Sequence, residues 1–560
     1  MHWGDIRTSR QEVVADHGVV AAGHPAEVAA GLQMLHAGGN AIDAAVSAAF
    51  AAGLVEPWSC GPGGHGFMVV RHRGVTEVID WVPGAPRKAR PDMWELQDGH
   101  EGVFDWRRVK DRANEVGYLA TAIPATLAGL CLAHERGGRL PLAMVLEPAI
   151  ALAEEGFAVD WRTTYVLATA METLRRFPAA ASIFLPGGRL PQAGSFYTPG
   201  DRLFQRDHGR TLRRIADEGP GIVYRGEIAQ VIAEDMTRNS GLITLEDLQD
   251  FQPLAFQATV HTYRGFQYTT QNTPMFVEAL NILEHFDLSA FGPDHPTYRH
   301  LVAEAMWQVF VDYFTHSNGP AKGLVSKDYA AELADRIDLG KARETMEAGD
   351  PWKYEGRPRP PTEGSDTPCS HGAGKHTTQV AAVDHEGNLV SMIFSLGTTF
   401  GSYVVPPGTG MFLGNSLESF DPEPGKPLSI GPGKRLAHSV PAVLMLKGGK
   451  PFAGLAGSGG WRIIGGLLHL VLNLADFDMG IQEAIEHPRL HCQDGNLYID
   501  QRVGPTVLAE LASMGHRVVA VEETVVQSNF CRAVGVRVDP VSGQLHGGAD
   551  PLHSAAVAGY

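Results

Sequence analysis

One stretch constrains this chain more than any other: HTTQVAAVDHEGNLVSMIFSLG, residues 376–397. Two apolar runs flank the turn sequence HEGN, which predicts a pair of buried strands joined by a hairpin. The first begins with Thr377-Thr378. Directly ahead lies DPWKYEGRPRPPTEGSDTPCSHGAGK, crowded with Pro, Gly and Ser, the composition of a loop. A fold containing this segment must pass abruptly from a long irregular tract into the middle of a sheet.

The rest of the chain supplies enough material for such a sheet. At 560 residues, length alone predicts two or three domains. With 44% hydrophobic and 19% charged residues, the composition is that of a globular protein. The formal charge is −17 and no Lys/Arg block occurs, which argues against nucleic acid or an anionic membrane as partner. The five cysteines are Cys60, Cys131, Cys369, Cys492 and Cys531, far apart and without a CxxC; they read as free thiols. The first residues show no apolar signal core, so a cytoplasmic protein is expected. AIDAAVSAAFAAGLV (41–55) carries Asp43 and is too short to span a bilayer, so it reads as a buried helix capped by Asn40.

Helices are also expected over 25–39, ending at Gly38-Gly39, through much of 117–250 and 274–345, and near 461–475, 480–486 and 505–514. GHGFMVVRHRGVTEVIDWV alternates like a hairpin turning near Arg73-Gly74. Strands return at 257–272 and dominate after 377, and residues 337–376 read as a linker.

Several chemistries are disfavoured. GxSxG, GxxxxGK[ST] and HExxH are all absent. HPRLH (487–491) has ligand-like spacing but no acidic or Cys partner near it, and no metal or organic cofactor is expected. GPGGHGF (61–67) lacks the context of a phosphate loop and reads as a tight turn against the core. The Thr-Thr border allows another chemistry. A threonine hydroxyl needs an adjacent base, and its own α-amine, with a free pKa of about 7.7–8.0, can serve if the chain begins there. The precursor must then cut itself just ahead of that residue. A rigid strand would hold the threonine, and a loose upstream tract could withdraw. The same pattern also suits an ordinary strand start, because Thr favours strands for packing reasons.

Several blocks, in order along nearly the whole chain, resemble the γ-glutamyltransferase (glutathione hydrolase) family of N-terminal-nucleophile hydrolases. They include GLQMLHAGGNAIDAAVSAAFAAGLVEPWSCGPGGHGFMVVR, TYRGFQYTTQNTP, KHTTQVAAVDHEGNLVSMIFSLGTTFG, GKRLAHSVPAV, GLAGSGGWRII and HGGADPLHSAAVAGY. The resemblance implies an α+β fold, the four-layer αββα sandwich, in one interleaved domain. It would be cut into a large subunit, 1–376, with a flexible 346–376 tail, and a small subunit, 377–560. It places the cut between His376 and Thr377 and makes Thr377 the nucleophile. Ser395 matches the hydroxyl that orients it, Gly459 and Gly460 the oxyanion glycines, Thr378 the second threonine and Asn415 a loop asparagine, the last two being candidate substrate-binding residues.

The positions that grip a γ-glutamyl group in that family depart from its pattern. The carboxylate-binding arginine falls on Val82. The three residues around the amine fall on Gly397, Ser416 and Ser419. A serine pair reads His438-Ser439, and Trp461 follows the oxyanion glycines. Losing an arginine and an aspartate, at about 1.5–3 kcal/mol per charge-assisted bond, weakens γ-glutamyl recognition by roughly a hundredfold or more. Three readings remain open. The first is a self-processing amidohydrolase or acylase with water or an amine as acceptor. The second is a true γ-glutamyltransferase with substitute residues. The third is an uncut binding homologue.

Overall fold

The computed structural model describes residues 9–101, 105–316, 319–359, 376–436 and 440–560. Two seven-stranded sheets form its centre. In chain order their strands are β1 (Val13–Ala15), β2 (Gly18–Ala22), β3 (His65–His72), β4 (Val75–Asp80), β5 (Leu254–Gln257), β6 (Val260–Tyr263), β7 (Phe266–Thr269), β8 (His376–Asp384), β9 (Leu389–Gly397), β10 (Val443–Lys447), β11 (Lys450–Ser458), β12 (Arg532–Val538), β13 (Leu545–Ala549) and β14 (Ala556–Gly559). One sheet runs β1-β13-β12-β11-β10-β7-β6 and the other β14-β2-β8-β9-β3-β4-β5. Both sheets mix strands from before and after residue 376. The two or three domains that length suggested are therefore absent from this core, which neither part of the chain could build alone.

Strand alternation assigns the layers. In the sheet containing β8, Val19, Ala21, Phe67, Val69, Ala381, Val383 and Ile393 pack toward the other sheet. Their neighbours Val20, Ala22, Met68, Val70, Val380, Ala382 and Met392 pack instead against helices α1 (Pro25–His36) and α2 (Ala41–Val55). Successive side chains on a strand point to opposite faces, so a strand between two apolar layers must be apolar throughout. This explains why VAAV and LVSMIF lack the alternation of a half-exposed strand. The second sheet is covered by α3 (Pro274–Leu283), α4 (Pro296–His316) and α5 (Arg462–Ala475), whose residues share a core with it. The result is the helix–sheet–sheet–helix order expected.

Local signals act where the sequence places them. Asn40 accepts from the N–H groups of Ile42 and Asp43, and Asp43 returns a bond to Asn40 N–H at 2.9 Å, closing a capping box on α2. All fifteen residues of α2 are buried. The β3–β4 hairpin turns at Arg73 and Gly74, both with positive φ (49° and 83°).

One expectation needs correction. The first part of the 346–376 tail is docked rather than loose. Gly349 N–H donates to Asp312 of α4 at 2.8 Å, and Pro351 and Trp352 are buried. Apolar surface in DPWKY outweighs the loop-like composition around it. Residues 360–375 lie outside the described residues.

Candidate active site

Strand β8 carries His376 and Thr377 into the interior. Its pairing with β9 is irregular at this point: His376 faces Gly397, but Thr378 faces Phe394. Two residues of β9, Ser395 and Leu396, therefore oppose the single residue Thr377. Such a bulge disrupts the ladder and re-aims the local side chains. Thr377 is 7% exposed and borders a cavity, whereas Thr378 is fully buried on the opposite face of the strand.

The backbone on both sides of Thr377 is held by side chains. Ser395 Oγ donates to the His376 carbonyl at 2.6 Å and accepts from Gly397 N–H at 2.8 Å. Arg532 Nη2 donates to the Thr377 carbonyl at 3.0 Å. Arg532 is the first residue of β12 in the other sheet, so this bond ties the two sheets together at the bulge.

Behind the strand, Thr378 Oγ1 donates to Glu56 Oε2 at 2.7 Å, and Arg532 Nη1 stands 3.8 Å from Glu56 Oε1. Glu56 closes the C-terminus of α2. Gly23 makes room for it: a Cβ there would crowd both the Glu56 carboxylate and the Thr378 hydroxyl. Burial alone would raise the Glu56 pKa, but Arg532, Arg162 and the Thr378 hydroxyl outweigh it and hold the carboxyl below its usual range. Glu27, in contact with Glu56, moves the other way. Burial first, and the Glu56 charge second, push it well above the usual carboxylate range. One of the two carboxyls is thus charged and the other carries a proton. His376 is pushed down to about 4 by burial and then by Arg532 and Arg162, so it is neutral.

At the C-terminal end of β11 the chain turns through Gly459 and Gly460, with φ of 136° and 61°, a region that favours glycine. The Gly459 carbonyl accepts from Arg462 N–H at 3.3 Å at the opening of α5. In a trans peptide the next N–H points the opposite way, so Gly460 N–H is directed away from the helix. Gly460 borders the same cavity as Thr377 and Ser395, and the N-terminus of α5 adds a favourable field for negative charge there.

The cavity also collects Val82, Gly397, Ser416, Ser419 and Trp461 from sites far apart in the sequence. Aromatic residues that no motif indicated complete it, among them Trp106, Tyr313, Phe314 and Phe420. Two candidate binding residues stand outside. Thr378 points to Glu56 because strand alternation turns it from the cavity. Asn415 is fully buried, with its carboxamide donating to Glu115 O and Thr398 Oγ1, both at 2.7 Å, and accepting from Thr398 N–H at 3.0 Å. Its role in this structure is to hold a loop. His438 and Ser439 lie outside the described residues.

Glu56 and Arg532 are the residues that reading the sequence missed. A signal existed, because each is a charged residue beside an apolar run, AAGLVEPW and FCRAVGV. Nothing in one dimension pairs them across 476 positions of chain (532 − 56).

The glycine-rich GPGGHGF does pack as a turn. A Cβ on Gly63, Gly64 or Gly66 would collide with the backbone of Phe412, Ser395 or Ile393. Among the described residues one group, His300, Glu304 and His516, has metal-ligating atoms within 4.8 Å of one another. Each already has a protein partner. His300 Nδ1 and His516 Nε2 lie 2.8 Å apart, His300 Nε2 lies 2.7 Å from Asp338 O, and Glu304 accepts from Arg343 Nε at 2.6 Å. Cys60, Cys131, Cys492 and Cys531 are buried and form no disulfide with one another, and Cys369 lies outside the described residues. No helix among the described residues is long and apolar enough to cross a membrane.

Comparison with known proteins agrees with this arrangement. The family model described as gamma-glutamyltranspeptidase matches residues 28–560. The chain belongs to that family. It is 36% identical over 523 residues to the acylase ACY 1 proenzyme of Pseudomonas sp. (strain V22), covering 92% of this chain and 89% of that protein. It is 31% identical over 566 residues to the glutathione hydrolase proenzyme of Escherichia coli (strain K12), covering 96% and 91%. Among solved structures it superimposes on cephalosporin acylase from Bacillus halodurans with a TM-score of 0.85 at 27% identity, covering 99% and 98%. The chain is thus an amide-bond hydrolase of the N-terminal-nucleophile type, with the layered α+β sandwich of that class.

Proposed function

We propose that this protein is a self-processing acylase whose nucleophile is Thr377, and that glutathione is not its preferred substrate. The observation that carries the proposal is the geometry at the bulge. The His376 carbonyl, the bond that must be cut, accepts a 2.6 Å hydrogen bond from Ser395. The carbonyl on the other side of Thr377 is fixed by Arg532.

In the first reaction Thr377 Oγ adds to the His376 carbonyl carbon, and its proton passes to the departing Thr377 nitrogen. The peptide becomes an ester, which water hydrolyses to a His376 carboxylate and a free Thr377 hydroxyl and α-amine. In the second reaction that amine accepts the hydroxyl proton while Oγ adds to a substrate amide. The oxyanion forms near Gly460 N–H, where one aimed donor is worth about 3–4 kcal/mol. Collapse releases the substrate's amine with the returned proton and leaves an acyl ester on Thr377. Water, or an amine acceptor, then removes the acyl group. All the groups used are protein groups: nucleophile, α-amine base and oxyanion donors.

Support for an acyl substrate over glutathione comes from the residues at the γ-glutamyl-binding positions and from the greater identity to the acylase proenzyme. The test is intact mass on purified wild type beside Thr377→Ala. Two fragments meeting at His376/Thr377, with the variant uncut, is the expected result. A wild-type chain that stays whole after prolonged incubation overturns the mechanism and leaves the protein as a binding homologue.

A further inference from the structure

We infer that the acyl group accepted at this site is uncharged and apolar, so that the enzyme acts on N-acyl amides of hydrophobic carboxylic acids and rejects acyl groups ending in a carboxylate or an amino acid. This inference rests on the reading of Thr377 as nucleophile and extends it to the substrate.

The cavity is bordered by Thr377, Ser395 and Gly460, beside which the amide must lie. Val82, Phe420 and Trp461 are among its walls together with Ser416 and Ser419, and the described lining holds no Lys, Arg, Asp or Glu; His65, which lies across from Ser395 in the β3–β9 pairing, is its one imidazole. Trp461 stacks edge-on against Tyr313 and Phe314, with ring centroids 5.5 and 5.7 Å apart. A carboxylate entering such a space would lose its hydration without meeting a fixed positive charge. A hydrocarbon chain or ring would leave water for rings at van der Waals distance.

Two backbone features make the loss of polarity part of the fold. Asp80 Oδ1 accepts from Val82 N–H at 2.9 Å and pairs with Arg435 at 2.6 Å, so the cation beside this strand is already neutralised. Gly397 has φ of 106°, and a Cβ there would overlap the Asn415 carboxamide. No side chain can project from that position toward a substrate amine without rebuilding the loop.

The test uses processed wild-type protein, with the cut verified by mass, and four p-nitroanilides: phenylacetyl, octanoyl, glutaryl and γ-L-glutamyl. The apolar pair should exceed the charged pair in kcat/KM by about a hundredfold or more, the discrimination expected when a charged group is left unpaired. Charged anilides turned over as fast as the apolar ones overturn the inference. A chain that is cut at Thr377 yet hydrolyses neither apolar anilide overturns it while leaving the nucleophile assignment standing. A chain that is never cut removes both. Val82→Arg should shift the ratio toward γ-glutamyl by about tenfold, the value of one charge-assisted bond. Should that variant not fold, Trp461→Ala in the same panel should slow the apolar anilides more than the charged ones and so lower the apolar-to-charged ratio of kcat/KM. Equal slowing of both pairs counts against the inference.

Discussion

The two sides of Thr377 differ sharply. Behind it, toward α2, lie Glu27, Glu56, Arg532 and Arg162, a dense set of buried ionisable groups near the Thr378 hydroxyl. In front lies a cavity whose described walls are aromatic and aliphatic with a few serines. The rear holds the backbone in one geometry, and buried charge suits that task because an unpaired partner is so costly that alternatives are excluded. The front selects a substrate, and its walls can exchange polar for apolar residues without disturbing the cut site. On the proposed reading, the buried ionisable groups behind Thr377 hold the cut site, and the cavity walls other than Thr377, Ser395 and Gly460 set the acyl preference.

The comparison breaks most readily at the rear. Arg532→Met leaves Glu56 as a buried carboxylate without its cation, and stability should fall by about 3–5 kcal/mol in urea melts. Adding Glu56→Gln should recover part of that loss, since the charge stranded by the first change is then gone. If the double variant is as unstable as the sum of the singles, the two residues do not act as a pair. Self-cleavage should slow in both single variants.

Ser395→Ala removes the donor to the His376 carbonyl. Processing, followed as the fraction of cut chain over time, should slow by about a hundredfold to a thousandfold, the loss seen for one such donor. Ser395→Thr keeps the hydroxyl and should process at a rate near wild type. Equal rates in Ala and wild type would show that this hydrogen bond plays no part in the cut.

The smallest effect concerns pH. Glu27 is held protonated in the folded protein by burial and by the Glu56 charge, while in the unfolded chain it ionises near the ordinary carboxylate value. Between those two pKa values the native state binds more protons, so this group lowers stability as pH rises. Glu27→Gln mimics the protonated form and should raise Tm relative to wild type at pH 8 but not at pH 4. Glu56 has the opposite sign. Its depressed pKa gives stability that is present above the ordinary carboxylate range and lost as pH falls through the folded value. Glu56→Gln should therefore lose most at neutral pH. If the two variants show the same slope, the assignment of one charge and one proton to this pair is wrong.

Much of the fold could be read in advance where local physics dominates. The α2 cap, the Arg73-Gly74 turn and the turn of the buried hairpin depend on neighbours within a few residues, and each is found. The tail boundary differs from the sequence expectation because composition reports average polarity, while Pro351 and Trp352 bury beside the helices Ala321–Leu324 and Lys327–Ala334 through contacts made in space. Thr378 and Asn415 illustrate the same limit. Their sequence positions suggested a substrate role, but strand alternation turns one toward Glu56 and a loop's backbone requirements occupy the other.

The sequence by itself determined the family, through ordered motifs, and the point where an irregular tract meets a buried strand, through apolar runs beside turn residues; the order of layers came with the family resemblance. Only the tertiary structure decided which residues surround Thr377. Val82, Ser395, the adjacent pair Gly460-Trp461, and Arg532 come from four separated segments, and their meeting depends on the register of a bulged strand pair and the packing of one sheet on another. A charged side chain beside an apolar run shows that burial must be compensated. The partner that compensates it is set by distances that exist only after the sheets have closed.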